Sequence, residues 1–77
     1  MDIDYNQTLD LTGVACPINF VKTKLKLEGM PKDEVLEVIL DDGEPIMNVP
    51  KSVKEDGHKV LAIKPFGDRF KLYVKKQ

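Results

Sequence analysis

The chain has 77 residues, 42% hydrophobic and 32% charged, with a net charge of −1, one cysteine and no tryptophan. That length supports one domain spanning residues 1–77, which buries about 60% of the surface its unfolded form exposes. The composition excludes a disordered chain, and a lone cysteine excludes an internal disulfide.

Tyr5 to Leu11 is predicted as a first strand, with Leu9 and Leu11 on one face. Thr12-Gly13-Val14-Ala15 turns the chain into a helix from Pro17 to Glu28, and Gly29 is its stop signal. Pro17 suits the first turn, where its missing N–H has no intrahelical partner to lose. Cys16 then falls at the N-cap, where free N–H groups converge and the helix dipole is positive. The thiolate is the reactive form of cysteine, and a helix N-terminus lowers the ordinary thiol pKa of about 8.5. The same residue also fits the small buried apolar role that a lone cysteine commonly fills.

The first helix carries two apolar arcs. Ile18, Val21 and Leu25 share one face; Phe20 and Leu27 lie on the other. One arc must pack on a sheet, and the other is free to offer a docking surface beside Cys16. Lys22, Lys24 and Lys26 recur along the helix, either as a solvated face or as a positive surround for a thiolate or an acidic partner.

Val35 to Leu40 is an apolar run and the best candidate for a central strand. Asp41-Asp42-Gly43 follows as a turn, in which the two carboxylates serve local backbone bonds rather than acid–base chemistry. Pro45 starts a second helix with Ile46, Val49 and Val53 facing the core. Pro50 is expected to interrupt it after one turn, with a restart that ends at Gly57. Lys59 to Lys64 reads as a third strand, Phe66-Gly67-Asp68 as a tight connection, and Arg69 to Val74 as a half-exposed fourth strand forming a hairpin with the third. The order β-α-β-α-β-β predicts an α/β fold of the α+β two-layer kind. It has a mixed four-stranded sheet with both helices on one face and a right-handed crossover from the first strand to the second.

Several kinds of chemistry are absent. One Cys and one His cannot build a structural zinc site, so no metal is expected. There is no second Cys for a redox pair and no glycine-rich phosphate loop, and no cofactor is expected. His58, in the turn Gly57-His58-Lys59, is read as a solvent-exposed loop histidine rather than as the base of a dyad with Cys16. No apolar run reaches membrane-spanning length. The acidic start Met1-Asp2-Ile3-Asp4 lacks the basic segment of a secretory signal, so a cytoplasmic protein is expected.

Charge is unevenly spread. Residues 1–45 carry four Lys and ten Asp or Glu, a net of −6; residues 46–77 carry eight Lys or Arg and three Asp or Glu, a net of +5. Both signs fit a solvated surface. Direct nucleic-acid binding through the basic half is not expected, given the sparse aromatics and the overall balance.

A nucleophile without a base suits chemistry in which sulfur is the cargo. A thiolate attacks a persulfide donor, keeps the outer sulfur and passes it to another thiol. The bound persulfide is anionic and is stabilised at the helix N-terminus.

The block Leu9-Asp10-Leu11-Thr12-Gly13-Val14-Ala15-Cys16-Pro17, followed by a Lys-bearing helix, resembles the TusA family of sulfur-carrier proteins, also called SirA-like. Val38-Ile39-Leu40-Asp41-Asp42-Gly43 and Val49-Pro50 look like that family too, and the resemblance spans essentially the whole chain. It implies a β-α-β-α-β-β sandwich and a persulfide relay of the sulfurtransferase type, active only with donor and acceptor proteins. The donor is a cysteine desulfurase or a rhodanese-type protein; the acceptor serves tRNA thiolation, molybdenum-cofactor maturation or sulfur oxidation. Cys16 is the implied sulfur-bearing residue and Pro17 the first proline of a Cys-Pro-x-Pro motif, whose second proline is replaced here by Asn19. Pro17, Asn19, Phe20 and Lys24 are assigned to partner binding around the cysteine. The alternative is a regulatory or scaffolding module that binds protein through the first helix with Cys16 passive. The tail Lys75-Lys76-Gln77 lacks the terminal Gly-Gly of a ubiquitin-like carrier.

Overall fold

Leu36, Val38 and Leu40 alternate with Glu37 and Ile39 along one strand, and that period-2 pattern gives the sheet two unlike faces. The computed structural model describes residues 5–15 and 18–77. Its elements are β1 (Gln7–Asp10), α1 (Ile18–Glu28), β2 (Val35–Asp41), α2 (Glu44–Glu55), β3 (Lys59–Phe66) and β4 (Arg69–Lys75). The sheet order is β1-β2-β4-β3. β1 and β2 pair in parallel, as a crossover through α1 requires; the other two pairings are antiparallel.

One face of the sheet holds the core. Leu36 lies opposite Val74 and Val38 opposite Leu72, all fully buried. Leu27 from α1 and Val49 and Val53 from α2 complete the same cluster, so both helices cover that one face. Each such side chain contributes about 1.5–3 kcal/mol by leaving water. The apolar run read as a central strand is indeed flanked on both sides, by β1 and β4.

Four local expectations are revised. β1 is shorter than Tyr5 to Leu11, because the chain turns away after Asp10 although Asn6 and Leu11 still donate N–H bonds to Val35 and Ile39 carbonyls. α2 runs unbroken through Pro50. The proline forfeits one backbone bond, but it is buried beside Val49 and Val53, and packing of that face overrides the local cost. The helix ends at Gly57, φ +96°, in a Schellman arrangement: Gly57 N–H bonds Lys54 C=O and His58 N–H bonds Val53 C=O. β3 extends past Lys64 to Phe66 and includes Pro65, which an edge strand tolerates.

The fourth revision concerns β4, whose alternation suggested a half-exposed strand. Leu72, Tyr73 and Val74 are all buried. β4 is interior to the sheet, and on its helix-free face Tyr73 is covered by Tyr5, with ring centroids 6.0 Å apart, and by Lys64, whose Nζ lies 5.8 Å from the Tyr73 ring centroid. Tyr73 Oη donates to Glu37 Oε2 at 2.7 Å, and Thr8 Oγ1 donates to Glu37 Oε1 at 3.3 Å. That carboxylate is only 3% exposed although no helix covers it.

Candidate functional site

The loop that precedes the cysteine is built from two carboxylates and one glycine. Leu11 is buried and donates its N–H to Ile39 C=O at 2.9 Å, which fixes where the loop leaves the sheet. Val14 N–H then bonds Leu11 C=O at 3.0 Å, closing a four-residue turn. Gly13, third in that turn, has φ +77°. A Cβ there would meet nothing within 4 Å, so the glycine answers to backbone conformation, not to space.

Asp10 Oδ1 accepts from Thr12 N–H at 2.9 Å and from Thr12 Oγ1 at 2.6 Å. The hydroxyl donor first, and then the backbone donor, hold the Asp10 carboxyl below the usual aspartate value. Asp41, the last residue of β2, accepts Gly13 N–H on Oδ2 at 2.7 Å; Arg69 Nε stands 3.5 Å from its other oxygen. From sequence, Asp41 and Asp42 alike are expected to serve a local turn. Only Asp42 serves that role, accepting Gly43 N–H at 2.8 Å. The available signal for Asp41 was its place at the carboxyl end of a strand parallel to β1, where the two strand ends are neighbours.

Asn19 N–H bonds Ala15 C=O at 3.2 Å, which ties the first turn of α1 to the end of the loop. Cys16 and Pro17 lie outside the described residues, as do the expectations placed on them. A depression of about 320 Å³ adjoins the loop, lined by residues 13–15 on one side and by Asp41, Asp42, Glu44 and Pro45 on the other. Its three carboxylates oppose an anionic ligand there, and the depression is no phosphate cradle.

The rotation of α1 is set by Leu27, which is fully buried together with Asn19 and Thr23. Phe20 packs partly buried against the core. Ile18, Val21 and Leu25 therefore face solvent, at 51%, 45% and 62% exposure. Of the residues assigned to partner binding, Lys24 is exposed, Phe20 is half-buried, and Asn19 is withdrawn from the surface altogether. Its placement among partner contacts is corrected: the residue sits on the sheet-facing side, where Thr23 Oγ1 donates to its backbone carbonyl at 2.9 Å. Asn19 Oδ1 accepts from Phe20 N–H at 2.7 Å, and among the described residues its buried Nδ2 has no hydrogen-bond partner.

His58 is not the exposed loop residue expected from sequence. Its side chain is 10% exposed; Nδ1 accepts from Gln77 N–H at 3.3 Å, and Nε2 lies 3.8 Å from Asp56. Lys59, beside it, pairs with Lys75, whereas Asp41 pairs with Arg69 at the other end of β4. About 20 Å of strand separates the histidine from the Gly13 loop. Among the described residues no three His, Cys, Asp or Glu side chains group to hold a metal, and no helix is long and apolar enough to cross a membrane.

Residues 7–76 match the family model described as Sulfurtransferase TusA. A chain from Archaeoglobus fulgidus named as a candidate sulfur carrier is 41% identical over 76 residues, covering 97% of this chain and 86% of that one. The sulfur carrier protein TusA of Allochromatium vinosum is 30% identical over 73 residues, covering 95% and 96%. A Thermotoga maritima chain, also named as a candidate sulfur carrier, is 40% identical over 70 residues, covering 90% and 89%.

Proposed function

The chain belongs to the TusA family, and on that premise we propose that it is a sulfur carrier that holds sulfane sulfur as a persulfide on Cys16. The observation that carries this reading is local. In sequence the chain's one cysteine stands between a loop fixed at two successive residues, Thr12 by Asp10 and Gly13 by Asp41, and the helix α1, which is described from Ile18.

Loading is a displacement at sulfur. The Cys16 thiolate attacks the outer sulfur of a donor persulfide, a new S–S bond forms on Cys16, and the donor's own S–S bond breaks. The donor cysteine leaves as a thiolate and the outer sulfur keeps its proton or charge. Unloading repeats the step with an acceptor thiolate attacking and Cys16 leaving. There is no net oxidation in either direction, so the relay needs no cofactor. The helix N-terminus stabilises both anionic forms of the cysteine.

The donor class is a cysteine desulfurase or a rhodanese-type protein, and the acceptor is a protein thiol. Their docking surface is the exposed stripe of Ile18, Val21 and Leu25, with Lys22 and Lys24 also exposed on α1. Such a surface fits a partner presenting an apolar patch rimmed by acidic groups.

Intact-mass spectrometry tests the proposal, using wild type and Cys16→Ser after incubation with a cysteine desulfurase and cysteine, or with polysulfide. The expected result is a reducible gain of one sulfur atom on the wild type alone. No gain from any donor, with Cys16 open to alkylation, sinks the carrier reading. The exposed stripe would then favour the protein-binding module with a passive cysteine.

A further inference from the structure

The positive charge of the chain's second half has a definite place in the fold. Residues 59–77, the β3–β4 hairpin and its tail, hold six Lys or Arg and one Asp, a net of +5 that accounts for all of it. Strand pairing then sorts these charges by face. Tyr73 lies on the side of the sheet away from the helices, and alternation along β4 puts Arg69, Lys71 and Lys75 there with it. Their partners on β3 share that side: Lys64 stands opposite Lys71, Lys59 opposite Lys75, and Phe66 opposite Arg69. Like charges set directly across a strand pair are destabilising, so two such pairs on one hairpin call for a physical reason.

The surroundings narrow what such a stripe can bind. The same face carries Asp10, Glu37 and Asp41 on its β1–β2 half. A broad anionic surface, such as a lipid bilayer or a duplex, would press on those carboxylates as well; a narrow anionic strand laid along the hairpin would not. An acidic peptide adding as a further strand is opposed by the β3 edge itself, which is broken by a bulge between Val60 and Ala62 and carries Pro65. Aromatic rings complete the stripe. Phe66 is 45% exposed, with Lys71 Nζ 4.3 Å from its ring centroid, and Tyr5, 49% exposed, rests against Tyr73.

We propose that the helix-free face of the β3–β4 hairpin binds single-stranded nucleic acid, with Lys59, Lys64 and Lys71 on its phosphates and Phe66 beneath a base. Cations that track a backbone beside a ring that stacks on bases are the usual means of holding a single strand without reading its sequence. Sparse aromatics and a net charge of −1 speak against nucleic acid when the sequence is taken whole. The fold overrides that average, because it gathers cations and exposed rings on one half of a face and leaves the carboxylates on the other half. The face lies across the sheet from α1, so this binding is independent of sulfur loading.

The test is fluorescence anisotropy of a short labelled oligouridylate across a salt series, with thermal melts of each protein. Wild type is expected to bind with an affinity that falls steeply as salt is added. Lys59→Glu and Lys64→Glu should each weaken binding about tenfold at low salt and lower the salt slope by about one. Each also turns a like-charged pair into an opposite one, so melting temperatures should hold or rise and lost binding cannot be laid to unfolding. Phe66→Ala should weaken binding about fivefold or more through lost stacking, and Phe66→Tyr should keep it. Lys24→Glu on α1 should bind as wild type does. Absent or salt-independent binding overturns the inference, as does binding that survives both charge reversals. Oligoglutamate, anionic vesicles or the annealed duplex bound as tightly as the oligouridylate would overturn the assignment to a single strand of nucleic acid. Polysulfide loading of the same samples keeps the two claims apart: a wild type that binds but does not load removes the carrier reading alone, and one that loads but does not bind removes only this inference.

Discussion

Asp41 accepts the Gly13 N–H at 2.7 Å, joining the end of β2 to the loop before Cys16 across 28 positions of sequence. The same carboxylate faces Arg69 at 3.5 Å, so the loop is tied through one side chain to the start of β4. Asp41→Ala frees the loop and is expected to slow sulfur loading several-fold, at a stability cost of about 0.5–1.5 kcal/mol for the lost bond. Asp41→Asn keeps an acceptor for Gly13 and should restore most of the loading rate. Arg69→Ala removes only a half-exposed ion pair worth about 0–1 kcal/mol and should leave loading near wild type. Stopped loading reactions read by intact mass, with urea melts of the three variants, check this ranking. Equal loss in Asp41→Asn and Asp41→Ala would reject the anchoring role.

Asp10 makes a second, pH-dependent tie. Its two bonds from Thr12 favour the ionised carboxyl and hold its pKa below the ordinary value of 3.8. A group whose folded pKa is depressed contributes stability above its unfolded value and loses that contribution as pH falls through the folded one. The loop tie is thus fully present near neutrality and is lost only in strong acid. Thr12→Val removes the hydroxyl donor, the larger cause of the shift, and should move the Asp10 midpoint back toward 3.8 in a carboxyl NMR titration. A midpoint unmoved by Thr12→Val would show that the hydroxyl does not bond the carboxylate in solution.

Residues whose roles are set by strong periodicity were legible in the sequence. β2's apolar run and the Ile46, Val49, Val53 face of α2 both reach the core as their spacing demands. Residues whose roles depend on distant neighbours were not. Two apolar arcs on α1 left its rotation open, and the buried side includes the polar Asn19 and Thr23, which no hydrophobic pattern would select. Pro50 argued for a break because propensity is local, whereas the helix is held by packing of residues on either side. Asp41 became an anchor only through the parallel adjacency of β1 and β2. The cysteine motif itself was plain from its neighbours in the chain, but what holds the preceding loop was not.

Glu37 offers a prediction on the face the helices leave bare. Its carboxylate is nearly buried and is met by Tyr73 Oη at 2.7 Å, Thr8 Oγ1 at 3.3 Å and Lys71 Nζ at 3.8 Å. Tyr73→Phe removes the shortest of these donors and should cost about 1.5–3 kcal/mol, the range for a bond to a charged group. Sulfur loading should be unchanged, because the cluster lies on the opposite side of the sheet from α1. Urea unfolding and the loading assay measure the two effects separately. A stability change under about 0.5 kcal/mol, the ordinary scatter of surface substitutions, would mean that the carboxylate is held by its other partners.

The exposed stripe on α1 should separate docking from folding. Leu25 is 62% exposed and Val21 45% exposed, so replacing either with Asp removes little buried area and should change stability by no more than about 0.5 kcal/mol. Leu27, two residues along, is fully buried, and Leu27→Ala should cost about 2–5 kcal/mol. If the stripe is the docking surface, Val21→Asp and Leu25→Asp will slow sulfur transfer from a protein donor while leaving loading by polysulfide intact, because polysulfide needs no docked partner. The introduced charges also oppose the acidic rim expected on the partner, so the defect should ease as salt is added. Equal slowing with both sulfur sources would instead place the fault at the cysteine, and the docking assignment would fail.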